Sequence, residues 1–229
     1  MIFGGIQKTS TIDFPGVLSC VVFVRGCDMN CFYCHNREII AGSAGEFLSE
    51  TEILAFLEKR RGLLDGVVVS GGEPTLQPDL AGFLQKLRAM SYRIKLDTNG
   101  QRPELTESLW REGLLDYVAM DVKALPRDYV SVCGTDGFAK VKDTIARLSA
   151  LEAKFEVRTT LYPGMTMEEL EELLQALPPM PLWRLNYYHM PEVFQPQDKL
   201  RLRLKALSSI AVQENLPRLT QWQPRLVWQ

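Results

Sequence analysis

Six apolar segments, rich in β-branched residues, recur along the chain, and a helix-like segment follows each of them. The six span residues 18–24, 66–70, 93–97, 117–121, 155–161 and 182–188. They recur at roughly the 30-residue length of a strand–helix–strand unit. This alternation predicts an α/β fold with a parallel sheet and helices outside it. Six units fit either a doubly wound sheet or an incomplete (β/α) barrel, and the periodicity does not separate the two.

The helix-like segments carry apolar residues at helical spacing. The first begins at Ser49, which forms a capping-box pattern with Glu52. The others are predicted over 79–90, 104–110, 138–151, 166–177 and, as a final helix, 197–212. With 229 residues, 46% of them hydrophobic, the chain has enough material for one large α/β domain or two small ones. No linker, low-complexity segment or charge run divides it, so we expect a single domain over residues 1–229.

Composition excludes several classes of protein. The net charge is −2 and no basic block is present, so we expect no nucleic-acid partner. No apolar run approaches the ~20 residues that span a bilayer, so no membrane partner is expected. The first residues lack the charged and apolar regions of a signal peptide. Five cysteines are an odd and low number, which argues against a disulfide scaffold and favours a reducing cytoplasm.

Three cysteines, Cys27, Cys31 and Cys34, lie within eight residues, in a loop directly after the first predicted strand. Three thiolates can hold three irons of a [4Fe-4S] cluster and leave the fourth iron open to another ligand. Adding His35 gives the count for a tetrahedral zinc site, although two adjacent ligands would be strained. The C-x-x-C-H run also matches haem attachment, and C-x-x-C alone matches a redox pair, but both leave Cys27 without a role. The spacing therefore favours the iron–sulfur cluster.

The remaining two cysteines are interpreted as structural. Cys20 lies inside the first predicted strand and is expected to be a small buried apolar residue. Cys133, followed by Gly134, has no partner suggested by the sequence and is interpreted as incidental.

Polar residues follow each of the predicted strands. They are Gly71, Gly72 and Glu73 after the second, Asp97 at the end of the third, Asp121 and Lys123 at the fourth, Arg158 within the fifth and His189 after the sixth. Each motif alone is compatible with a turn, an ion pair or a capped loop residue. However, ligands of parallel α/β sheets bind at the carboxyl ends of the strands. These five ends, with the cysteine loop after the first strand as the sixth, follow in chain order and predict one site.

The cysteine spacing has the form C-x3-C-x-Φ-C, with the aromatic residue at Tyr33. On this motif the chain resembles the radical S-adenosylmethionine enzymes. The chain further resembles the activases of glycyl radical enzymes, through the run Ser-Thr-Ile-Asp-Phe-Pro-Gly at 10–16 and Cys-His-Asn at 34–36. Taken as a whole, it most resembles the small activase of anaerobic ribonucleotide reductase. The resemblance covers about residues 11–192, which it identifies as the domain core, and leaves 193–229 as a C-terminal helix and tail. It implies a partial (β/α)6 barrel.

The resemblance also implies roles for the strand-end residues. Cys27, Cys31 and Cys34 would hold a [4Fe-4S] cluster whose open iron binds S-adenosylmethionine. Gly71 and Gly72 would let the backbone approach the methionine part of that cofactor.

Further roles follow from the same resemblance. Glu73 would accept a hydrogen bond from the methionine ammonium group, a charge-assisted contact. Asp97 and Asp121 could hold a monovalent cation beside the methionine carboxylate, and Lys123 would offset negative charge there.

The last three expected contacts are spread over the site. Arg158 matches an arginine on the family's fifth strand, His189 matches a histidine that contacts the ribose, and Tyr33 would lie against the adenine.

The function implied is that of an anaerobic iron–sulfur oxidoreductase. Such an enzyme uses one electron to cleave S-adenosylmethionine to methionine and a 5′-deoxyadenosyl radical, which takes hydrogen from a glycine of a partner enzyme. The expected partner is anaerobic ribonucleotide reductase, with a flavodoxin or ferredoxin as electron donor. The alternatives are a pyruvate formate-lyase activase, a small-molecule enzyme such as 7-carboxy-7-deazaguanine synthase, and an iron–sulfur electron carrier, which would not need the strand-end residues.

Overall fold

The computed structural model describes residues 1–41 and 47–228. Nine strands are found in these ranges. They are β1 (Ile2–Ser10), β2 (Ser19–Val24), β3 (Leu48–Ser49), β4 (Gly66–Gly71), β5 (Arg93–Thr98), β6 (Tyr117–Asp121), β7 (Phe155–Leu161), β8 (Trp183–Tyr187) and β9 (Leu226–Trp228). All nine belong to one sheet, in the order β3-β1-β2-β4-β5-β6-β7-β8-β9.

The six predicted strands are β2 and β4 to β8, and they lie side by side in chain order. Every pairing from β2 to β9 is parallel. The end strands β3 and β9 do not pair with each other, and the sheet forms a partial barrel, as the resemblance predicts. The alternation of elements predicts the parallel sheet but leaves a doubly wound sheet open as well. At the β2 side, β1 and β3 add an antiparallel extension.

Eight α-helices accompany the strands in the described ranges. They are α1 (Arg37–Ala41), α2 (Glu50–Glu58), α3 (Leu80–Ala89), α4 (Pro103–Arg111), α5 (Tyr129–Cys133), α6 (Phe138–Ala150), α7 (Met167–Gln175) and α8 (Ser209–Thr220). The capping box expected at Ser49 is present, with its hydroxyl accepting from the Glu52 N–H at 3.3 Å. Within the described chain, no helix combines the length and apolar character that a membrane crossing requires.

The prediction of a final helix over 197–212 is wrong. Two short 3-10 turns, Pro196–Asp198 and Arg201–Arg203, occupy its first part, and Leu204 is extended. Helix α8 begins only after Ser208, whose hydroxyl accepts a hydrogen bond from the Ala211 N–H at 3.2 Å. This cap satisfies a backbone donor that otherwise has no partner at a helix start, and so it sets the boundary.

Side chains alternate along each strand between the helices and the barrel interior. The helix-facing set is apolar and fully buried, as at Val22, Val69, Leu96, Val157 and Leu185. This layer is the main hydrophobic core and holds the strands in register.

The interior-facing set changes along the barrel. Near the amino ends of the strands, a separate apolar group closes the interior; we call it the floor cluster, and it consists of Phe14, Val17, Val21 and Val68 with Phe23 and Tyr117 against them. Further along, Arg184 on β8 pairs with Glu156 on β7 at 3.1 Å. Charged residues then occupy the carboxyl ends. The barrel is therefore apolar at its floor and polar at its opposite end.

Candidate active site

A cavity of about 320 Å³ opens at the carboxyl ends of the strands. Its size lies at the lower end of the range that small-molecule ligands occupy. Residues from the ends of β2, β4, β5, β6, β7 and β8 all line it, which requires the sheet to curve around it. Every site residue predicted from the sequence is among the lining residues: Cys27, Cys31, Tyr33, Cys34, Gly71, Gly72, Glu73, Asp97, Asp121, Lys123, Arg158 and His189.

The cysteine loop is held against α5 by backbone hydrogen bonds. The Asn30 N–H donates to the Cys133 carbonyl at 2.7 Å, and the Phe32 N–H donates to the Val132 carbonyl at 3.2 Å. Arg37 donates to the Cys31 carbonyl from the other side at 2.7 Å. These contacts fix the loop so that its three thiols face one cavity.

All five cysteines are free thiols. Burial raises the pKa of Cys27 to about 12, and burial also raises the pKa of Cys34, while Lys123 opposes both shifts. The thiols of the loop are therefore protonated at neutral pH, and metal binding would release their protons. In residues 1–41 and 47–228, no three His, Cys, Asp or Glu side chains converge on a point that would hold a single metal ion.

Cys133, interpreted from the sequence as incidental, lies under the cysteine loop. The Cys31 thiol hydrogen-bonds to its sulfur, which raises the pKa of Cys31 and lowers that of Cys133. The next residue, Gly134, has φ of 76°, and a Cβ there would lie 3.1 Å from the Asn30 Cβ. Loop and α5 are therefore in close contact, which linear spacing could not show.

The Gly71–Gly72 turn packs on the backbone at the end of β2. The Gly72 N–H donates to the Val24 carbonyl at 2.9 Å, and the Glu73 N–H donates to the Gly26 carbonyl at 2.8 Å. A Cβ on Gly72 would lie 1.9 Å from the Gly26 carbonyl oxygen. Glycine is therefore required here by close approach of two backbones.

Glu73 is 1% exposed, and its carboxylate is held by four donors. Oε1 accepts from the Thr75 N–H at 3.0 Å, the Thr75 hydroxyl at 2.5 Å and the Thr98 hydroxyl at 2.8 Å. Oε2 accepts from the Asn99 N–H at 2.6 Å. Burial raises the pKa of Glu73, and these hydrogen bonds oppose the rise. Oε2 accepts one hydrogen bond against three at Oε1, so it is the oxygen with room for a further donor.

One ion-pair network joins the ends of β5, β6 and β7. It contains two carboxylates, Asp97 and Asp121, and two cations, Lys123 and Arg158. Arg158 donates from Nη1 to Asp97 Oδ2 at 2.9 Å and from Nε to Asp121 Oδ1 at 3.0 Å. Lys123 Nζ lies 3.0 Å from Asp121 Oδ2, which places the two on one face as their spacing predicts. Ser70 donates to Asp97 Oδ2 at 3.1 Å.

The network sets the ionisation of both carboxylates. Burial alone would raise the pKa of Asp121, but Arg158 and Lys123 outweigh it and hold that pKa at about 2. Burial likewise opposes the effect of Arg158 and Lys95 on Asp97, whose pKa is lowered. Lys123 is stabilised in its charged form, since Asp121 raises its pKa despite burial.

Sequence reasoning missed Lys95. It lies two residues before Asp97 on the same face of β5, and its Nζ is 2.7 Å from Asp97 Oδ1. Residues two apart on a strand share a face, so the spacing of Lys95 and Asp97 could have indicated that the two side chains meet.

Aromatic and imidazole groups complete the cavity. Tyr33 is buried and stacks on Tyr162, with ring centroids 5.6 Å apart at an angle of 14°. His189 is exposed at the mouth beside Tyr187 and Tyr188. Asn36, the last residue of the Cys-His-Asn run, donates to the Gly71 carbonyl at 3.0 Å and so joins the cysteine loop to the glycine turn.

The chain is similar to one protein family and to several named proteins. The family model of the Radical SAM superfamily matches residues 21–177. A protein from Methanocaldococcus jannaschii, whose name assigns it provisionally to the glycyl-radical enzyme activating enzymes, is 31% identical over 86% of this chain and 84% of its own length. The pyruvate formate-lyase-activating enzyme of Listeria monocytogenes is 28% identical over 83% and 82%. The 7-carboxy-7-deazaguanine synthase of Hyperthermus butylicus is 26% identical over 81% and 87%.

Solved structures share the fold. A radical SAM methyltransferase from Sphaerobacter thermophilus superposes with a TM-score of 0.68 at 16% identity, covering 94% of this chain and 67% of the other. A domain of a pyruvate-formate lyase-activating enzyme from Bacteroides vulgatus has a TM-score of 0.57 at 21% identity, covering 72% and 98%. At these identities the likeness concerns the fold.

Proposed function

Because the chain belongs to the radical SAM superfamily, we propose that it is the activating enzyme of a glycyl radical enzyme, with anaerobic ribonucleotide reductase as its partner. One observation carries the proposal: three free thiols from one loop, charged residues from four other strand ends and His189 after a fifth line the same cavity. Relatives with activating-enzyme names match more than four fifths of the chain, which supports the same function. The choice of ribonucleotide reductase rests on the overall resemblance of the chain to the small activase of that enzyme.

The residues present fit the two cofactors of this superfamily. Cys27, Cys31 and Cys34 would hold a [4Fe-4S] cluster, since they are free, loop-borne and directed to one cavity. The glycine turn offers bare backbone where a Cβ would not fit. When bound, the cluster and S-adenosylmethionine supply one electron and the 5′-deoxyadenosyl radical that removes a hydrogen atom from the partner's glycine Cα.

The chain's own residues would bind and orient S-adenosylmethionine. Glu73 Oε2 accepts one donor and has room for the methionine ammonium group. Arg158 and Lys123 place positive charge where the methionine carboxylate would lie. Tyr33 would contact the adenine and His189 the ribose, since both line the cavity.

An exposed apolar surface near the mouth supports a protein partner. We call it the mouth rim, and it consists of Val130, Met190, Val193, Leu200 and Leu204, which are 59%, 46%, 36%, 80% and 54% exposed. Arg201, next to Leu200, donates to the carbonyl of Ser131, next to Val130, so the two sides of the rim meet. Contiguous exposed apolar residues commonly mark protein interaction sites.

The rim also adjoins the cysteine loop. The Arg201 guanidinium lies 3.8 Å from the centre of the Phe32 ring, and Gln195 donates to Asn30 Oδ1 at 3.3 Å. A protein bound there would reach the cavity beside the expected cluster.

The test is anaerobic reconstitution with reductant, S-adenosylmethionine and purified candidate partners, followed by electron paramagnetic resonance. The expected result is a glycyl doublet on anaerobic ribonucleotide reductase. In the cytoplasm, a reduced flavodoxin or ferredoxin would be the electron donor. A doublet on pyruvate formate-lyase alone would keep the activase function and change the partner. Formation of 5′-deoxyadenosine without a doublet on either would favour a small-molecule enzyme such as 7-carboxy-7-deazaguanine synthase.

A further inference from the structure

Lys95 is a buried charge in the barrel interior. It is 2% exposed, and its Nζ lies 2.7 Å from Asp97 Oδ1. Lysines are almost never fully buried unless they are paired, because removing an ammonium group from water is costly. A residue whose role at this strand position was only to fill space could be apolar. The buried charge of Lys95 therefore indicates an electrostatic role.

The two carboxylates beside it have no oxygen without a donor. Asp97 Oδ1 accepts a hydrogen bond from Lys95, and Asp97 Oδ2 accepts from Arg158 and Ser70. Asp121 Oδ1 takes Arg158, and Asp121 Oδ2 takes Lys123. The expectation that this pair holds a monovalent cation therefore does not fit, because a metal ion at these oxygens would lie beside the positive charges of Lys95, Arg158 and Lys123.

The charge balance of the network is positive. Three cationic side chains, Lys95, Arg158 and Lys123, face two carboxylates, and one positive charge is in excess. The adjacent pair of Glu156 and Arg184 is neutral in itself. The floor cluster is apolar and Glu156 is paired with Arg184, so the cavity, which Glu73 also lines, is the side from which this excess charge can be met. The carboxylate of a bound amino acid has the charge that would balance it.

We propose that the buried ammonium group of Lys95 takes the place of a bound alkali-metal ion beside Asp97 and Asp121, so that S-adenosylmethionine binds without sodium or potassium. Lys95 is then a positioning residue: it acts through Asp97 and Arg158 on the part of the cavity that receives the methionine carboxylate. The inference concerns cofactor binding and does not depend on which protein is the partner.

Binding of S-adenosylmethionine to the cluster-loaded enzyme tests the inference directly. Calorimetric titrations would be run anaerobically, without reductant or partner, in tetramethylammonium, sodium and potassium chloride at equal ionic strength. We expect the dissociation constant of the wild type to differ by less than about twofold among the three salts, because screening is equal. A saturable tightening by sodium or potassium would overturn the proposal.

The variant Lys95→Met keeps the length of the side chain and removes its charge. We expect its affinity in tetramethylammonium to fall by about tenfold or more, and potassium or sodium to restore much of it, because a close charge is lost in a poorly screened site. Normal affinity that does not respond to any salt would contradict the role of Lys95. Lys86→Met makes the same change in an exposed ion pair with Glu50 and should bind as the wild type does.

A second readout does not involve binding energies. Crystals of the wild type grown with rubidium chloride should show no anomalous peak between Asp97 and Asp121, whereas Lys95→Ala should show one. A rubidium peak in the wild type would refute the inference. Cluster content and thermal unfolding report whether each variant folds, and if Lys95 variants do not fold, the wild-type titration and rubidium map still decide. Since no partner is present, failure here is distinct from failure of the activase proposal.

Discussion

Cys20 and Cys27 have the same side chain and nearly the same ionisation, because burial raises the pKa of each to about 12. Only their positions separate them: Cys20 faces the helices from β2, and Cys27 lines the cavity. We predict that Cys27→Ala, Cys31→Ala and Cys34→Ala each abolish formation of 5′-deoxyadenosine and lower reconstituted iron and sulfide to a small fraction of the wild-type content. Absorbance and chemical iron analysis would measure this.

Cys20→Ala is the matched control. It removes a buried sulfur, which costs stability by about 1 kcal/mol, but it should leave iron content and cofactor cleavage unchanged. Loss of the cluster in this variant, or cleavage retained in a loop variant, would contradict the assignment of ligands.

Asp121 links stability to pH. Its pKa is about 2 in the folded protein, below its ordinary value, because Arg158 and Lys123 outweigh burial. A carboxylate whose pKa is lowered in the folded protein stabilises the fold at pH values above its ordinary pKa. This stabilisation is lost as the pH falls through the folded-state pKa of about 2. We predict that Asp121→Asn lowers the free energy of unfolding of the cluster-free protein near neutral pH by about 2 kcal/mol, and that the difference shrinks between about pH 4 and 2.

Denaturant unfolding followed by circular dichroism at several pH values would measure this difference. The control is Asp143→Asn, a surface carboxylate paired with Arg147, whose effect should be small and nearly constant with pH. A constant difference for Asp121→Asn down to pH 2 would show that its ion pairs do not carry the effect.

At the scale of elements, the glycine turn after β4 and the start of the cysteine loop act as one unit. We predict that Gly72→Ala separates them, because its Cβ would lie 1.9 Å from the Gly26 carbonyl oxygen. Cofactor affinity should fall at least about tenfold, and the protein should be destabilised by about 2 kcal/mol or more. Gly82→Ala, in α3 with nothing within 4 Å, should be neutral or stabilising. Equal behaviour of the two variants would contradict the prediction.

What could be predicted from the sequence depends on how local the cause is. The strands β2 and β4 to β8 follow from apolar runs, and α2 follows from a cap that spans four residues. Strand β9 depends on pairing with β8, some forty residues earlier, as Leu226 with Trp183. Gln223 is 1% exposed and bonds four backbone groups of residues 174–180, which no local pattern indicates.

The candidate site shows the same division. Its cysteines and strand-end residues could be named in advance, because motif spacing and the strand period locate them. Lys95 could have been named too, since its partner Asp97 lies two residues away on the same strand. Cys133 could not, since its contact with Cys31 comes from the packing of α5 against the cysteine loop. The starting point of α8 was missed because apolar spacing continues across its cap at Ser208.

At the scale of the whole molecule, the mouth rim lies outside the cavity that would bind S-adenosylmethionine. We predict that Val130→Asp raises the partner concentration needed for half-maximal glycyl radical formation by about tenfold, because it places a charge in an apolar contact. Cleavage of S-adenosylmethionine without partner should stay unchanged. Spin quantitation and chromatography of 5′-deoxyadenosine would measure the two activities.

Ile210→Asp, an equally exposed apolar position on α8, is the control and should affect neither activity. If both variants weakened partner activation alike, the effect would not be specific to the mouth rim.

The floor cluster lies in the barrel interior near the amino ends of the strands, so the route into the cavity shown by the described residues is the mouth at the carboxyl ends. A partner seated over the mouth would close that route, so S-adenosylmethionine would have to enter before the partner docks. Methionine and 5′-deoxyadenosine could leave only after it departs. Turnover would then follow a compulsory order, in which excess partner slows the cycle by capturing the product-loaded enzyme, and substrate inhibition by the partner would be its kinetic signature.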